Sequence, residues 1–232
     1  MIWIDARLPL EISKKLAEYG NVYRFKSEGI VYGAIAGHPD IFMCKMPDTW
    51  IVAPNIPQNM LECFEKEQQT WCFGSQLIGT SYPKTVAYNV VVSKKYAIAN
   101  FKHTDAILKN ALSQDPERHC IHVKQGYARC NAIFVNEKAV LCSDKSIEKA
   151  LQAQGLHVLY INPSPICLEG FEHGFIGGCC GVWQQTIFFT GSLSFLSKVD
   201  EVALRHFLSV EKLDIVELGN HPLIDGGGIL FS

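Results

Sequence analysis

Val90-Val91-Val92-Ser93-Lys94-Lys95-Tyr96-Ala97-Ile98-Ala99-Asn100 can be laid without a gap over Ile133-Phe134-Val135-Asn136-Glu137-Lys138-Ala139-Val140-Leu141-Cys142-Ser143. Each stretch reads as an apolar strand, a polar turn and a second apolar strand, the signature of a hairpin. Each is then followed by a helical pattern. After Asn100, Ile107, Leu108, Ala111 and Leu112 share one face of a helix that begins near Thr104, and Cys120-Ile121-His122-Val123 ends the unit. In the second copy Ser143 or Asp144 caps a helix with Ile147, Ala150 and Leu151 inward, Gly155 stops it, and His157-Val158-Leu159-Tyr160-Ile161 is the third strand. A supersecondary unit recurring every 40–50 residues or so marks a solenoid, a propeller or a closed ring.

Two more copies follow the same order. Ile41-Phe42-Met43-Cys44 and Trp50-Ile51-Val52 flank a Met46-Pro47-Asp48 turn; Pro57 opens a helix carrying Met60, Leu61 and Phe64, and Thr70-Trp71-Cys72-Phe73 closes the unit. Further on, Gly177-Gly178-Cys179-Cys180-Gly181-Val182 and Ile187-Phe188-Phe189-Thr190 flank Gln184-Gln185. A helix with Val199, Val202, Leu204, Phe207 and Leu208, and the strand Asp214–Leu218, complete that copy. What is left over is one first strand at the end, Gly226–Ser232, and a second strand, helix and third strand at the start. There, Met1–Ile4 is a strand, Pro9–Tyr19 a helix with Ile12 and Leu16 inward, stopped by Gly20, and Val22–Phe25 a strand. A fifth unit stitched from both termini closes a ring and removes exposed strand edges. An ordinary alternating α/β sheet gives one strand per helix, whereas here a hairpin precedes each helix.

The bulk properties narrow the function by exclusion. The 232 residues are 48% hydrophobic with a net charge of -2, enough for a sizeable core and too balanced for a nucleic-acid surface. No apolar run approaches the 18 or so residues of a membrane span, and Met1–Arg7 lacks the order of a secretory signal. Nine cysteines, odd in number and without a CxxC, support neither a zinc ribbon nor a redox pair. Cys44, Cys63, Cys72, Cys120 and Cys142 lie in apolar runs and read as buried free thiols, behaving as small hydrophobes in a reducing cytoplasm. Nucleic acid and membrane are therefore not expected partners, no cofactor is called for, and the sequence names no protein partner.

Five units of hairpin, helix and strand in a ring resemble the pentein superfamily, the α/β-propellers of guanidine-modifying enzymes. The resemblance implies an α/β fold, a five-bladed propeller of ββαβ repeats closed by the two termini. It makes residues 1–232 one domain, with units at about 32–73, 82–123, 127–161, 173–218, and 226–232 plus 1–25. Two segments carry it. Gly226-Gly227-Gly228-Ile229-Leu230-Phe231-Ser232 is similar to the glycine-rich stretch that ends in the superfamily's nucleophilic cysteine, with Phe231 at the histidine and Ser232 at the cysteine. Glu172-His173-Gly174-Phe175 resembles the catalytic histidine's context, with Phe175 in place of an acid. Superfamily chemistry needs a thiolate to attack the guanidinium carbon, a histidine to move protons and carboxylates to hold the cation.

In such a ring the segments entering the first strands converge. They carry His38-Pro39-Asp40, Tyr88, Asn89, Arg129, Asn131, Glu172, His173, His221 and Asp225. His38, Asp40, Asn89, Arg129, Asn131, Glu172, His221 and Asp225 are candidates to bind a small-molecule ligand in an axial pocket. Arg129 can pair with a ligand carboxylate or with Asp40. His173 is the candidate acid/base, and Cys179, Cys180 or Ser232 the candidate nucleophile. Two readings stay open: a degenerate pentein that binds a ligand or serves a structural role, or a hydrolase or amidinotransferase-like enzyme acting on a guanidine or related small molecule. A third, a metal site built from His38, His173 and His221, has no ligand spacing behind it.

Overall fold

A computed structural model describes residues 1–232. At the start of the chain β1 (Ile2–Asp5) and β2 (Val22–Phe25) pair in parallel across α1 (Leu10–Leu16). Ile12 and Leu16 stand four residues apart on one face of α1 and are fully buried, while Glu11, Lys14 and Lys15 remain in water. A single helical turn, α2 (Pro39–Phe42), leads into the hairpin of β3 (Met43–Lys45) and β4 (Trp50–Val52). The chain then crosses through α3 (Gln58–Lys66) to β5 (Trp71–Phe73), parallel to β4.

The pattern repeats as β6 (Val91–Val92), β7 (Tyr96–Ala99), α4 (Ala106–Ser113) and β8 (His119–His122). It returns behind the short α5 (Ala128–Asn131) as β9 (Ala132–Phe134), β10 (Ala139–Cys142), α6 (Lys145–Gln152) and β11 (His157–Tyr160). The last copy starts with a 3-10 turn at Gly177–Cys179, followed by β12 (Cys180–Trp183), β13 (Thr186–Phe189), α7 (Lys198–Val210) and β14 (Asp214–Glu217). β15 (Leu230–Phe231) pairs antiparallel with β1, Ile2 opposite Phe231 and Trp3 opposite Leu230. The result is five three-stranded sheets of mixed direction, one of them drawn from both ends of the chain as the sequence predicts. The helices α1, α3, α4, α6 and α7 each lie between a second and a third strand, because those strands are parallel and a parallel pair needs a crossover.

Local expectations change at several points, among them Ile107, Cys72 and Cys120, which are exposed rather than buried. The first strands begin later than their apolar runs: Ile41-Phe42 belongs to α2, where Pro39 occupies the first helical position, and Asn131 to α5. The gapless overlay also slips by one residue in the first strands. Val92 faces Ala97 but Phe134 faces Val140, because one hairpin closes around Lys94-Lys95 and the other around Asn136-Glu137-Lys138. Asn89 is thus the counterpart of Asn131. In α7, Leu204, Phe207 and Leu208 are buried, whereas Val199 and Val202 point to solvent at 79% and 56% exposure. The buried face follows the 204/207/208 spacing, and those two valines fall off it.

Four buried apolar clusters lie between sheets. Trp3 and Phe25 pack with Trp50, Phe64 and Leu108; Ile98 with Phe134 and Leu151; Leu141 with Phe189 and Leu204; Phe188 with Ile4 and Ile229. No helix is long and apolar enough to cross a membrane.

Candidate functional site

The segments leading into the first strands touch one another in sequence order. Asn89 is the hinge of this contact. Its Nδ2 donates to Oδ2 of Asp40 at 2.9 Å, and its Oδ1 accepts from the backbone N–H of Arg129 at 2.7 Å. Arg129 reaches onward, donating from Nη1 to the Gly177 carbonyl at 2.7 Å. Gly178 accepts from the N–H groups of Gly226 and Gly228 at 2.9 and 2.8 Å. Gly227 returns to the first segment, since a Cβ there would stand 2.5 Å from the Cβ of His38 and 2.6 Å from Oδ1 of Asp40. The glycines are required because neighbouring backbones and side chains leave no room for anything larger.

Four ionisable side chains and a thiol are buried at this junction. His38, 1% exposed, lies between two carboxylates, Nε2 at 3.9 Å from Oδ2 of Asp5 and Nδ1 at 3.9 Å from Oδ1 of Asp225. Asp5 is neutralised by a forked pair with Arg7, and Asp225 accepts from the N–H groups of Phe175 at 2.9 Å and Gly227 at 3.1 Å. The Cys130 thiol donates to Oδ2 of Asp40 at 3.0 Å. Burial sets the protonation of the group. It pulls His38 below its ordinary value against the opposing charges of Asp225 and Asp5, and lifts Asp225. It pushes Asp40 up to about 6, against the attraction of Arg129 and the hydrogen bonds of Cys130 and Asn89. Burial, reinforced by Asp40, drives Cys130 well above the ordinary thiol range. Ligand atoms of His38, Asp40 and Cys130 all lie within 4.8 Å of one another.

Two cavities open on opposite members of this cluster. The first, of about 210 Å³, has Tyr32, Tyr127, Phe171, Phe175 and His173 around His38, Cys130 and Asp225. Its two tyrosines are fixed by a hydroxyl chain, Thr85 to Tyr127 at 2.7 Å and Tyr127 to Tyr32 at 3.0 Å, and Tyr32 stands 5.9 Å from Phe171 between ring centroids. The second, of about 170 Å³, is walled by apolar residues of the first strands of all five sheets, with Asp40 and Arg129 among its lining.

The structure brings His38, His173 and Asp225 to the aromatic cavity, with Asp40, Asn89 and Arg129 directly behind. Asn131 is buried but serves the backbone, donating to the Tyr127 carbonyl at 3.0 Å. Arg129 makes no ion pair with Asp40 and is spent on carbonyls instead. The other candidates line neither cavity. Glu172 is exposed, and His221 faces Glu11, Nε2 to Oε1 3.4 Å. Ser232 is exposed at the chain ends, its Oγ accepting from the Met1 ammonium at 2.6 Å. Cys179 and Cys180 are fully buried and donate backwards to the carbonyls of Phe175 and Ile176 at 3.1 and 3.2 Å. Burial raises both thiols, Cys180 to about 12, which counts against an activated thiolate at either. Sequence reasoning missed Cys130, Tyr32, Tyr127, Phe171 and Asp5. Cys130 lies one residue before Asn131, the counterpart of Asn89, at the start of an apolar run that gives it no distinguishing signal.

No curated protein matches this sequence. Among solved structures, an inosamine-phosphate amidinotransferase from Streptomyces griseus is similar in fold, with a TM-score of 0.54 at 11% identity over 90% of this chain and 74% of that one. An amidinotransferase of saxitoxin biosynthesis from Microseira wollei gives 0.53 at 11% identity, covering 93% and 87% of the two chains. A DDAH from Pseudomonas aeruginosa gives 0.53 at 7% identity, covering 94% and 91%. At 7 to 11% identity these likenesses show a shared fold, and in fold the chain resembles the pentein superfamily. Residues 3–230 match a single family model, and the chain belongs to that family, described as a family of unknown function (DUF6873).

Proposed function

We propose that this chain is a single-domain, five-bladed pentein-type α/β-propeller, closed by its termini, that binds a small organic cation in the aromatic cavity. The cyclic order of the buried clusters, each bridging successive sheets, supports the propeller. Nine free cysteines support a reducing cytoplasm. The observation that carries the ligand class is the cavity wall: Tyr32, Tyr127, Phe171 and Phe175 line the cavity together with the buried carboxylate of Asp225. Aromatic rings together with a desolvated acid favour a cation with an apolar body. Thiol catalysis at Cys179 or Cys180 is disfavoured by their protonation, and catalysis at Ser232 by its capture at the termini.

Calorimetric titration with agmatine, arginine and methylarginine tests this. One saturable site is expected, with Phe171→Ala weakening it roughly tenfold through loss of a cation–π wall. No heat with any of these cations, or an unchanged Phe171→Ala, overturns the reading. A second reading rests on a different observation: His173 borders the same cavity, and the structural neighbours are by name an amidinotransferase pair and a DDAH. Turnover of agmatine, arginine or methylarginine that disappears in His173→Ala replaces binding with enzymatic guanidine modification.

A further inference from the structure

Behind the aromatic cavity, three buried polar atoms have no hydrogen-bond partner: both ring nitrogens of His38 and Oδ1 of Asp40. A neutral imidazole offers one donor and one acceptor, so both functions are stranded in a residue that is 1% exposed. Native proteins rarely leave such groups unpaired. The neighbouring acids do not solve the problem. Asp5 and Asp225 each stand 3.9 Å from a ring nitrogen, beyond hydrogen-bonding reach, and each is already committed, to Arg7 and to backbone N–H groups respectively.

We propose that His38, Asp40 and Cys130 form a binding site for a zinc-type divalent cation. The three offer a nitrogen, a carboxylate oxygen and a sulfur within 4.8 Å of one another, and all three residues are buried. Donors at about 2.0–2.3 Å from one tetrahedral ion stand about 3.3–3.8 Å apart, so the cluster needs only small side-chain adjustments. The mixed N, O and S set suits a borderline-soft ion and is poor for magnesium or calcium. Charge agrees as well. A thiolate and a carboxylate balance a divalent ion, which leaves the buried site neutral with His38 uncharged. Whichever ring nitrogen binds the ion, the other faces a carboxylate oxygen of Asp5 or Asp225 at 3.9 Å, and a small shift of the ring on binding would bring it into the carboxylate–histidine arrangement that orients a ligand. His38 and Cys130 also line the 210 Å³ cavity, which has room for a water as fourth ligand. Binding replaces the S–H bond of Cys130 by an S–metal bond and releases its proton to solvent. The site stands independently of the organic-cation reading, since the ion is held in the wall whether or not a ligand fills the cavity.

Cobalt(II) provides the test on the full chain after chelator treatment. One equivalent is expected to bind, with a thiolate-to-cobalt charge-transfer band that zinc bleaches and release of about one proton per ion. Cys130→Ser should abolish the band, and His38→Gln should weaken binding at least tenfold or so. Asp40→Asn, which keeps the side chain's shape, must also weaken cobalt at least about tenfold, and it decides the matter if Cys130→Ser does not fold. Failure of the wild-type chain to take up cobalt or zinc overturns the site. So does a band that persists in Cys130→Ser, or equal affinity in Asp40→Asn.

Discussion

Asp105 shows how single residues tie neighbouring units together. One carboxylate oxygen caps α4, accepting from Ile107 and Leu108 at 2.8 and 3.0 Å; the other accepts from the N–H groups of Ser75 and Gln76, both at 2.8 Å, in the preceding loop. Burial pushes this acid up, but the hydrogen bonds from Ser75 and the backbone outweigh it, and the net shift is below the ordinary value of 3.8. A folded-state value below the unfolded one contributes stability above the unfolded value, and that stability is lost as pH falls through the folded value. Asp105→Ala should cost about 2–3 kcal/mol at pH 7. In urea melts its deficit relative to wild type should narrow below the unfolded value of 3.8. Gly177→Ala is expected to be at least as damaging, about 2–4 kcal/mol, because its Cβ would meet the backbone carbonyl oxygen of Arg129 at 2.3 Å. The polar candidates His38, Asp40, Asn89 and Asp225 were legible because each interrupts an apolar run just before a first strand. Cys130 was not, since a cysteine in such a run resembles any small hydrophobe and the partner that gives it meaning, Asp40, lies 90 residues away.

At the scale of elements, second strands and helices were more legible than first strands. Ile12 and Leu16, or Ile147 and Leu151, advertise a helix face by four-residue spacing, and Asp144 caps α6 with bonds of 2.7 and 3.0 Å to Ser146 and Ile147. The first strands are two to four residues long, and a helical turn absorbs the start of the apolar run in α2 and α5. Periodicity cannot separate a buried turn from a buried strand over so short a span. The stop of α6 offers a clean test: Gly155 has φ +75°, with nothing within 4 Å of a would-be Cβ. Gly155→Ala should therefore cost about 1 kcal/mol from backbone strain alone, measured by denaturant melts with an unchanged m-value.

For the whole molecule, the decisive pairing is β15 with β1, which the leftover segments at the two ends made readable. It also carries packing: Phe231 stacks on Trp183 at 6.2 Å between centroids and lies 5.2 Å from Phe188, while Ile229 and Leu230 are buried. Deleting residues 229–232 should cost more than about 4 kcal/mol, seen as loss of the cooperative thermal transition. A circular permutant that joins the ends through a short linker and opens between Lys94 and Lys95 should keep the native near-ultraviolet circular dichroism, because Met1 and Ser232 already touch. The arrangement of sheets could be inferred from repetition, but the cavity's aromatic wall could not. Tyr32, Tyr127, Phe171 and Phe175 come from three separate connecting segments, outside the repeat's strands and helices. The most direct measurement of the central claim is a crystal structure of the chain soaked in agmatine. The account predicts the ligand's cationic group within the ring of Tyr32, Tyr127 and Phe171, directed at Asp225; a ligand bound elsewhere, or a cavity filled only by water at saturating agmatine, contradicts it.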